Sequence, residues 1–439
     1  MKFAYIFAEH SKPVLRSTGH SVHVREICNA LLELGHEVVI LAGKAGDETS
    51  SDLAAPTIHE LRQPLPRLRK RASSRARAGG RGEAKPTTQA APGLSTAVKD
   101  VLRVVRWRVW SRYFAWRARR VLRREAPDAL YERYVAGSTV GLQLARDLGL
   151  PLIVEMNASF TFPEEWWGGH SRIYEAAARK TERRIAHGAQ AVIVVSSRLK
   201  TYLEELGAPP EKIVVLFNGA DPARFRPALP ASAAVRRRYG VDERIVVGFI
   251  GSLKPWHGVD VLLQSARLVL AEDQNVRFLV AGGGPLLEPL RELATREGLQ
   301  EHVHFTGYVP RDDAPALIGA MDIAVAPAPR LENYHYSPIK VFEYMSCGRA
   351  VIAPRYGDLA TVIRHGENGL LVDPGDPEAL RVAILQLARD AELRRNLGLA
   401  ARRTIEGQYT WRRNAEAIVS LLAHDTAPPH ALAAVGSPA

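Results

Sequence analysis

The stretch SPIKVFEYMSCG, residues 337–348, sets a cation and a carboxylate about one turn apart on a single expected helix. Ser337 is a good N-cap, Pro338 a good first helical residue, and Gly348 closes the helix before an apolar strand at 350–353. Lys340 then falls in the first turn, where the helix dipole disfavours a cation unless an anion is bound nearby. Glu343 reads either as a solvated helix residue or as a carboxylate that accepts hydrogen bonds from a ribose diol. Two glycine-bearing turns offer related chemistry. In the first, Ser17-Thr18-Gly19-His20-Ser21, Gly19 lets backbone approach a ligand and Ser21 caps a helix opening at Val22. The second runs from Gly251 to Gly258 as GSLKPWHG. Such turns can present N–H groups and a helix N-terminus to phosphate. Neither matches the dinucleotide fingerprint or the P-loop pattern, so a plain turn glycine accounts for each as well. The run Ala281-Gly282-Gly283-Gly284-Pro285 fits a phosphate cradle and a tight turn equally.

These residues need elements to hold them. Short apolar runs at Phe3–Phe7, 38–41, 152–155, 191–195, Ile245–Ile250, Val276–Ala281, 323–326 and 351–353 read as buried strands. Helical patterns fall between most of them, as at 22–34, 171–186, 259–269 and 286–296. Buried parallel strands with crossover helices make the class α/β. A Pro-, Gly- and Ala-rich break at 218–233 divides the chain into two doubly wound halves. The expected domains are 1–222 and 223–406. A helix at 407–424 is expected to pack back on the first domain, ahead of a tail without periodicity at 425–439.

Of 439 residues, 46% are hydrophobic and 24% charged, which excludes wholesale disorder. Cys28 and Cys347 define neither a disulfide framework nor a metal-ligand spacing, which suits a reducing compartment. MKFAYIFAEH reads as a first strand rather than a signal peptide, and no run of 18 apolar residues occurs. The net charge of +12 is local: residues 61–124 hold 19 Lys and Arg against Glu83 and Asp100, so the rest is slightly acidic. Within this segment, 62–99 is a Pro-, Gly- and Ser-rich insertion that reads as mobile, and 101–124 an amphipathic helix. Its expected buried stripe is Leu102, Val105, Val109, Tyr113 and Trp116. Three uses fit that helix: a domain helix with solvated arginines, attachment to anionic lipid, or nucleic-acid binding. No reader motif supports the last.

In order and spacing, YERY (131–134), IVEMNA (153–158), NGAD (218–221), GSLKPWHG (251–258), VAGGGP (280–285), FTGYVP (305–310), SPIKVFEYMSCG (337–348) and NGLLVDPGDPEAL (368–380), with the Gly19 loop, resemble a family 4 retaining glycosyltransferase. The resemblance implies the GT-B architecture, two Rossmann-like domains facing a cleft. It implies that Glu343 holds the nucleotide ribose, and that Ser337, Pro338 and Ile339 meet the diphosphate or sugar. Gly19 is expected at the diphosphate and acceptor, and Tyr308 and Val309 beside the base. The chain departs from the family pattern at several points. His335 stands where the first glutamate of the Glu-x7-Glu motif is usual, Ser252 and His257 replace an Arg and a Lys, and Asn157 takes a position that often carries His.

Lys254 and then Lys340 are the expected diphosphate cations, and Asn157 completes the expected catalytic set. His257 and His335 are candidates for phosphate and sugar contact. No metal or other cofactor is expected, only a nucleotide-sugar donor. The implied reaction moves a sugar with retention to an acceptor hydroxyl, lipid-linked or small, in glycolipid, envelope or exopolysaccharide synthesis. A nucleotide-sugar epimerase and a non-catalytic sugar-nucleotide binder are the alternatives. The basic segment points to an anionic membrane surface rather than nucleic acid, and so to a cytoplasmic protein peripheral on the inner face of the membrane.

Overall fold

A computed structural model of the chain describes residues 1–10, 12–15, 19–46, 56–62, 94–159, 171–227, 229–331, 334 and 337–423. Ser17, Thr18 and His335, most of the basic insertion (63–93) and the tail from 424 lie outside these residues.

Seven parallel strands form the first sheet: β1 (Lys2–Phe7), β2 (Glu37–Ala42), β3 (Thr57–Glu60), β4 (Ala129–Arg133), β5 (Leu152–Met156), β6 (Ala191–Val194) and β7 (Ile213–Val215), in the order β3-β2-β1-β4-β5-β6-β7. Helices α1 (Gly19–Glu33), α2 (Leu94–Glu125), α3 (Val140–Leu148), α4 (Arg172–Gly188) and α5 (Ser197–Glu205) belong to this half. Alternation along β1 feeds both faces. Phe3, Tyr5 and Phe7 pack with α1, and Ala4 and Ile6 with Phe114, Ala115, Ala118 and Leu122 of α2. Each large side chain buried this way contributes about 1.5–3 kcal/mol.

After α6 (Pro230–Arg238) come β8 (Ile245–Ile250), α7 (Val259–Glu272), β9 (Val276–Ala281), α8 (Leu287–Arg296), β10 (Val303–Gly307), α9 (Ala314–Gly319), β11 (Ile323–Val325), α10 (Ile339–Ser346), β12 (Ala350–Pro354), α11 (Leu359–Val362), β13 (Leu370–Val372), α12 (Pro377–Arg389) and α13 (Ala391–Gln408). The second sheet is also parallel, in the order β10-β9-β8-β11-β12-β13. The last helix, α14 (Trp411–Ala423), buries Trp411, Ala415, Ile418 and Leu421 in the core that α1 shares with the first sheet. Both sheets reverse winding direction once, between β1 and β4 and between β8 and β11. Ligands of doubly wound sheets bind beyond the strand C-termini at such points.

Several expectations on local structure are corrected. The buried stripe of α2 is Val104, Ser111, Phe114, Ala115, Ala118 and Leu122, not the one read from spacing. Leu102, Val105, Val109 and Trp116 are 50–64% exposed. Both sets recur at helical spacing, and the sheet accepted the one with small residues because Ala115 and Ala118 let α2 approach closely. Ser21 does not cap α1, which begins at Gly19; its hydroxyl donates to Pro13 O at 2.8 Å. Ser337 does not cap α10 either, since Pro338 takes the cap position. Strands β3, β4, β7, β10 and β13 were not expected. Three to five residues long, they carry charge at β4 and polar residues at β3 and β10, which breaks the apolar run.

Candidate functional site

The second domain brings the chemistry-bearing residues together at its reversal point. Gly251 ends β8 with φ +153°, and a Cβ there would meet Lys340 Nζ at 2.7 Å. Gly282, φ +141°, lies so close that a Cβ would sit 1.9 Å from Gly251 O. The glycine run at 282–284 therefore braces the 251–258 turn by close backbone packing, reinforced by Leu253 N–H donating to Gly283 O at 2.9 Å.

Lys340 rises from the first turn of α10, with Nζ 4.1 Å from the centroid of the Phe249 ring. It makes no ion pair among the described residues. Burial lowers its amine to about 7, opposed only in part by the charge of Glu343. Lys254, on the turn itself, stands over the Trp256 ring at 4.8 Å. His257 Nδ1 contacts Ser252 O. Burial lowers the His257 imidazole to about 3, and Lys340 and Lys254 repel a further charge on it. The ring is therefore neutral, with Nδ1–H donating to the carbonyl and Nε2 left as an acceptor. In this state His257 braces the turn and offers no proton to a phosphate. Ser252 is exposed beside it.

Glu343, in the second turn of α10, is 4% exposed, and its Oε1 lies 2.5 Å from Arg311 Nη1. Burial raises this carboxyl above its ordinary range, and the Arg311 charge opposes the shift. Arg311 follows the Tyr308-Val309 segment. Tyr308 is 63% exposed, whereas Val309 packs on the α10 side of the second core. Ser337 and Pro338 lead into α10, and Ile339 packs against the first-domain core beside Trp411.

On the first domain, Gly19 opens α1 at an exposed position, and a Cβ there would meet nothing within 4 Å. The fold itself thus makes no demand for glycine at this position. Asn157 follows β5, and its buried Oδ1 has no hydrogen-bond partner among the described residues. An orphaned acceptor of this kind costs about 1–3 kcal/mol unless a donor arrives. A cavity of about 250 Å³ lies between α2 and the C-terminal ends of β1 and β4, lined by Glu9, His10, Arg106, Trp107, Trp110 and Ser138. Trp110 Nε1 donates to Ala8 O at 2.6 Å and fixes that wall.

Sequence reasoning missed the residues that tie the two halves together. His23 Nε2 is 2.7 Å from Glu155 Oε1, and its Nδ1 is 2.8 Å from Asn218 Oδ1. Glu155 is also held by Arg133 at 2.9 Å and Tyr131 at 2.5 Å. Burial alone would raise its carboxyl, but His23, Arg133 and Tyr131 together hold it at about 2. Arg311 pairs with Glu26 of α1 as well as with Glu343. The only sequence signal was the position of these residues inside or beside the quoted motifs. Among the described residues no group of His, Cys, Asp and Glu could hold a metal ion, and no helix is long and apolar enough to cross a membrane.

Residues 18–219 match a glycosyl transferase 4-like domain, and residues 244–390 match glycosyl transferases group 1. The chain is 30% identical over 253 residues to a GDP-mannose-dependent alpha-(1-6)-phosphatidylinositol monomannoside mannosyltransferase of Mycobacterium tuberculosis, which covers 57% of this chain and 66% of that protein. It is also 30% identical over 327 residues to a D-inositol 3-phosphate glycosyltransferase of Salinispora arenicola, covering 69% of this chain and 71% of the relative. The crystal structure of Anabaena HepE in complex with UDP and glucose aligns with a TM-score of 0.71 at 18% identity, covering 96% of this chain and 99% of that one. At that identity the likeness concerns the fold, which is GT-B.

Proposed function

Because the chain belongs to the group 1 glycosyl transferases, we propose that it moves a sugar, with retention, from a nucleoside-diphosphate donor to an acceptor hydroxyl. The observation that carries this reading is Lys340, a buried amine that forms no ion pair among the described residues, set against the glycine turn at the end of β8. A bound diphosphate would supply an anion and would sit at the N-terminus of α10 beside Ser337, Pro338 and Ile339. Lys254 is the second cation, and Ser252 lies exposed at the turn. Glu343 Oε2, with no partner among the described residues, is left to accept the ribose hydroxyls. Tyr308 and Val309 flank the base.

As the glycosidic bond breaks, negative charge grows on the leaving diphosphate, and Lys340 and Lys254 stabilise it. The same leaving oxygen takes the acceptor proton on the face it departs from, so no protein carboxylate pair is needed. The protein's part is then orientation and electrostatics. Asn157 and Gly19 are assigned to the acceptor, and the cavity beside Trp107 and Trp110 suits a small polar ring. The reading requires neither metal nor other cofactor. Release of nucleoside diphosphate from a panel of UDP- and GDP-sugars, with inositol-phosphate and lipid-linked acceptors, tests it. Sugar transfer lost in Lys340→Met supports it. Binding without turnover would favour a sugar-nucleotide binder, and conversion of the donor without transfer an epimerase.

The acceptor is proposed to lie at an anionic membrane surface, with the protein peripheral on its cytoplasmic face and no role for nucleic acid. Support comes from the outer face of α2. Val98, Leu102, Val105, Val109 and Trp116 form an exposed stripe at spacings of three, four and seven, flanked by exposed Arg106, Arg108, Arg112, Arg117 and Arg120. Apolar residues between arginines suit a lipid interface, and each Arg near anionic lipid contributes about 1 kcal/mol. Co-sedimentation with phosphatidylglycerol vesicles at low salt tests this. Failure to bind there, or equal binding to neutral vesicles, overturns it.

A further inference from the structure

Helix α1 lies in the first domain, yet two of its buried side chains are each linked through one intermediate residue to the segment that carries the donor residues in the second. His23 and Glu26 stand three residues apart, so they share one face of α1. They are 4% and 7% exposed. From His23 the path runs through Asn218, whose Oδ1 meets His23 Nδ1 at 2.8 Å. The Asn218 side-chain amide donates to Ser337 O at 2.5 Å, and its backbone N–H to Ser337 Oγ at 3.0 Å. Ser337 is thereby gripped at two atoms immediately before α10. From Glu26 the path runs through Arg311: Nη2 donates to Glu26 Oε1 at 2.8 Å, while Nη1 is 2.5 Å from Glu343 Oε1. The guanidinium also lies over the Phe225 ring at 4.8 Å.

We propose that His23 and Glu26 are positioning residues for the donor. His23, acting through Asn218, sets Ser337 at the mouth of α10. Glu26, acting through Arg311, sets the carboxylate of Glu343. The inference rests on the reading of α10 as the donor helix. Its physical content is a division of one guanidinium between two carboxylates. While Glu26 holds one edge of Arg311, Glu343 shares the cation through a single oxygen and keeps the other for a ligand. Without Glu26, Arg311 is free to turn both nitrogens onto Glu343 in the bidentate geometry that carboxylates favour, and the ligand must then compete with it. On the other path His23 is itself anchored by Glu155, which is fixed by Arg133 and Tyr131 from β4. The mouth of α10 is in this way referenced to the first sheet. The two paths predict different losses, since one ends on ribose chemistry and the other on phosphate chemistry.

Calorimetric binding of UDP, GDP, their 2′,3′-dideoxy forms and inorganic pyrophosphate to the full chain separates them. Glu26→Gln is expected to weaken the better of UDP and GDP about tenfold, while its dideoxy form and pyrophosphate bind as to wild type. His23→Ala is expected to weaken pyrophosphate and both nucleotide forms by a common factor of about five. Asn218→Ala should reproduce that pattern and serves if His23→Ala does not fold, as judged by thermal unfolding. If Glu26→Gln weakens pyrophosphate and the dideoxy forms as much as the nucleotide, or if His23→Ala and Asn218→Ala leave pyrophosphate binding as in wild type, the role is only structural and the proposal is overturned. If Glu26→Gln leaves nucleotide binding unchanged while dideoxy forms bind wild type poorly, the positioning claim alone falls. If wild type binds dideoxy and ordinary nucleotides equally, or binds neither, the donor-helix reading falls and the proposal falls with it.

Discussion

Lys340 makes the proposed donor site a proton-coupled one. Its amine is lowered to about 7 by burial, so above that pH most of the free protein carries it neutral. A diphosphate placed against it favours the charged form and draws its pKa back toward the ordinary lysine value of about 10.4. Between those limits, binding must take up one proton. Each pH unit above about 7.5 then costs about 1.4 kcal/mol, so the dissociation constant should rise roughly tenfold per unit up to about pH 9.5. The diphosphate itself is fully ionised over that range and adds no slope of its own. Titration of UDP and GDP at several pH values, in two buffers of different ionisation enthalpy, reads the affinity slope and the proton uptake together. Lys340→Met should bind more weakly near neutrality, take up no proton, and show no slope. The reasoning is refuted if wild-type affinity is flat from about pH 7.5 to 9.5, or if Lys340→Met keeps the slope.

Glu343→Ala should weaken nucleoside diphosphates by about ten- to a hundred-fold, the worth of charge-assisted hydrogen bonds of about 1.5–3 kcal/mol, measured by calorimetry on a folded variant. Lys254→Ala should lower single-turnover transfer more than it weakens nucleotide binding, because charge builds on the diphosphate as the bond breaks. Glu155, held at about 2 in the folded chain, contributes stability that is present above the ordinary carboxyl range and lost as pH falls from about 4.5 toward 2. Glu155→Gln should therefore cost on the order of 3 kcal/mol at neutral pH and progressively less below about pH 4, read from denaturant midpoints. Val109→Asp together with Trp116→Asp should abolish sedimentation with phosphatidylglycerol vesicles and leave the melting temperature within about 2 °C, since both side chains are more than 60% exposed.

What the sequence made legible follows from how local each signal is. The strands at 3–7 and 245–250 announce themselves because burial on both faces leaves no charged residue in the run. β4 does not, because Glu132 and Arg133 interrupt it. The sheet buries Glu132 only by supplying Ser138 Oγ at 2.8 Å and Gly141 N–H at 3.0 Å, partners that appear once the chain has folded. On α2 one stripe was read as buried, and most of it faces outward. Hydrophobicity favours Leu102, Val109 and Trp116, whereas close packing on the sheet selects Ala115 and Ala118, and packing won.

The same distinction separates the two kinds of site residue. Lys340 and the 251–258 turn could be singled out because each sits at the end of its own strand or helix, where local pattern already marks a backbone terminus, and Glu343 because it follows Lys340 in the same short motif. Arg311, Glu26, His23 and Asn218 carry no such mark. Glu26 and Arg311 are separated by 285 residues, and His23 and Asn218 by 195. A glutamate in the middle of an amphipathic helix reads as a solvated residue until a partner from the other domain arrives to neutralise it. Burying either charge alone would cost several kcal/mol, so Glu26 and Arg311 tolerate burial only when the domains are apposed as seen here. The donor helix therefore has its charged partners in place only in that apposed arrangement, and domain opening would expose Arg311 and Glu26 to water while releasing Glu343.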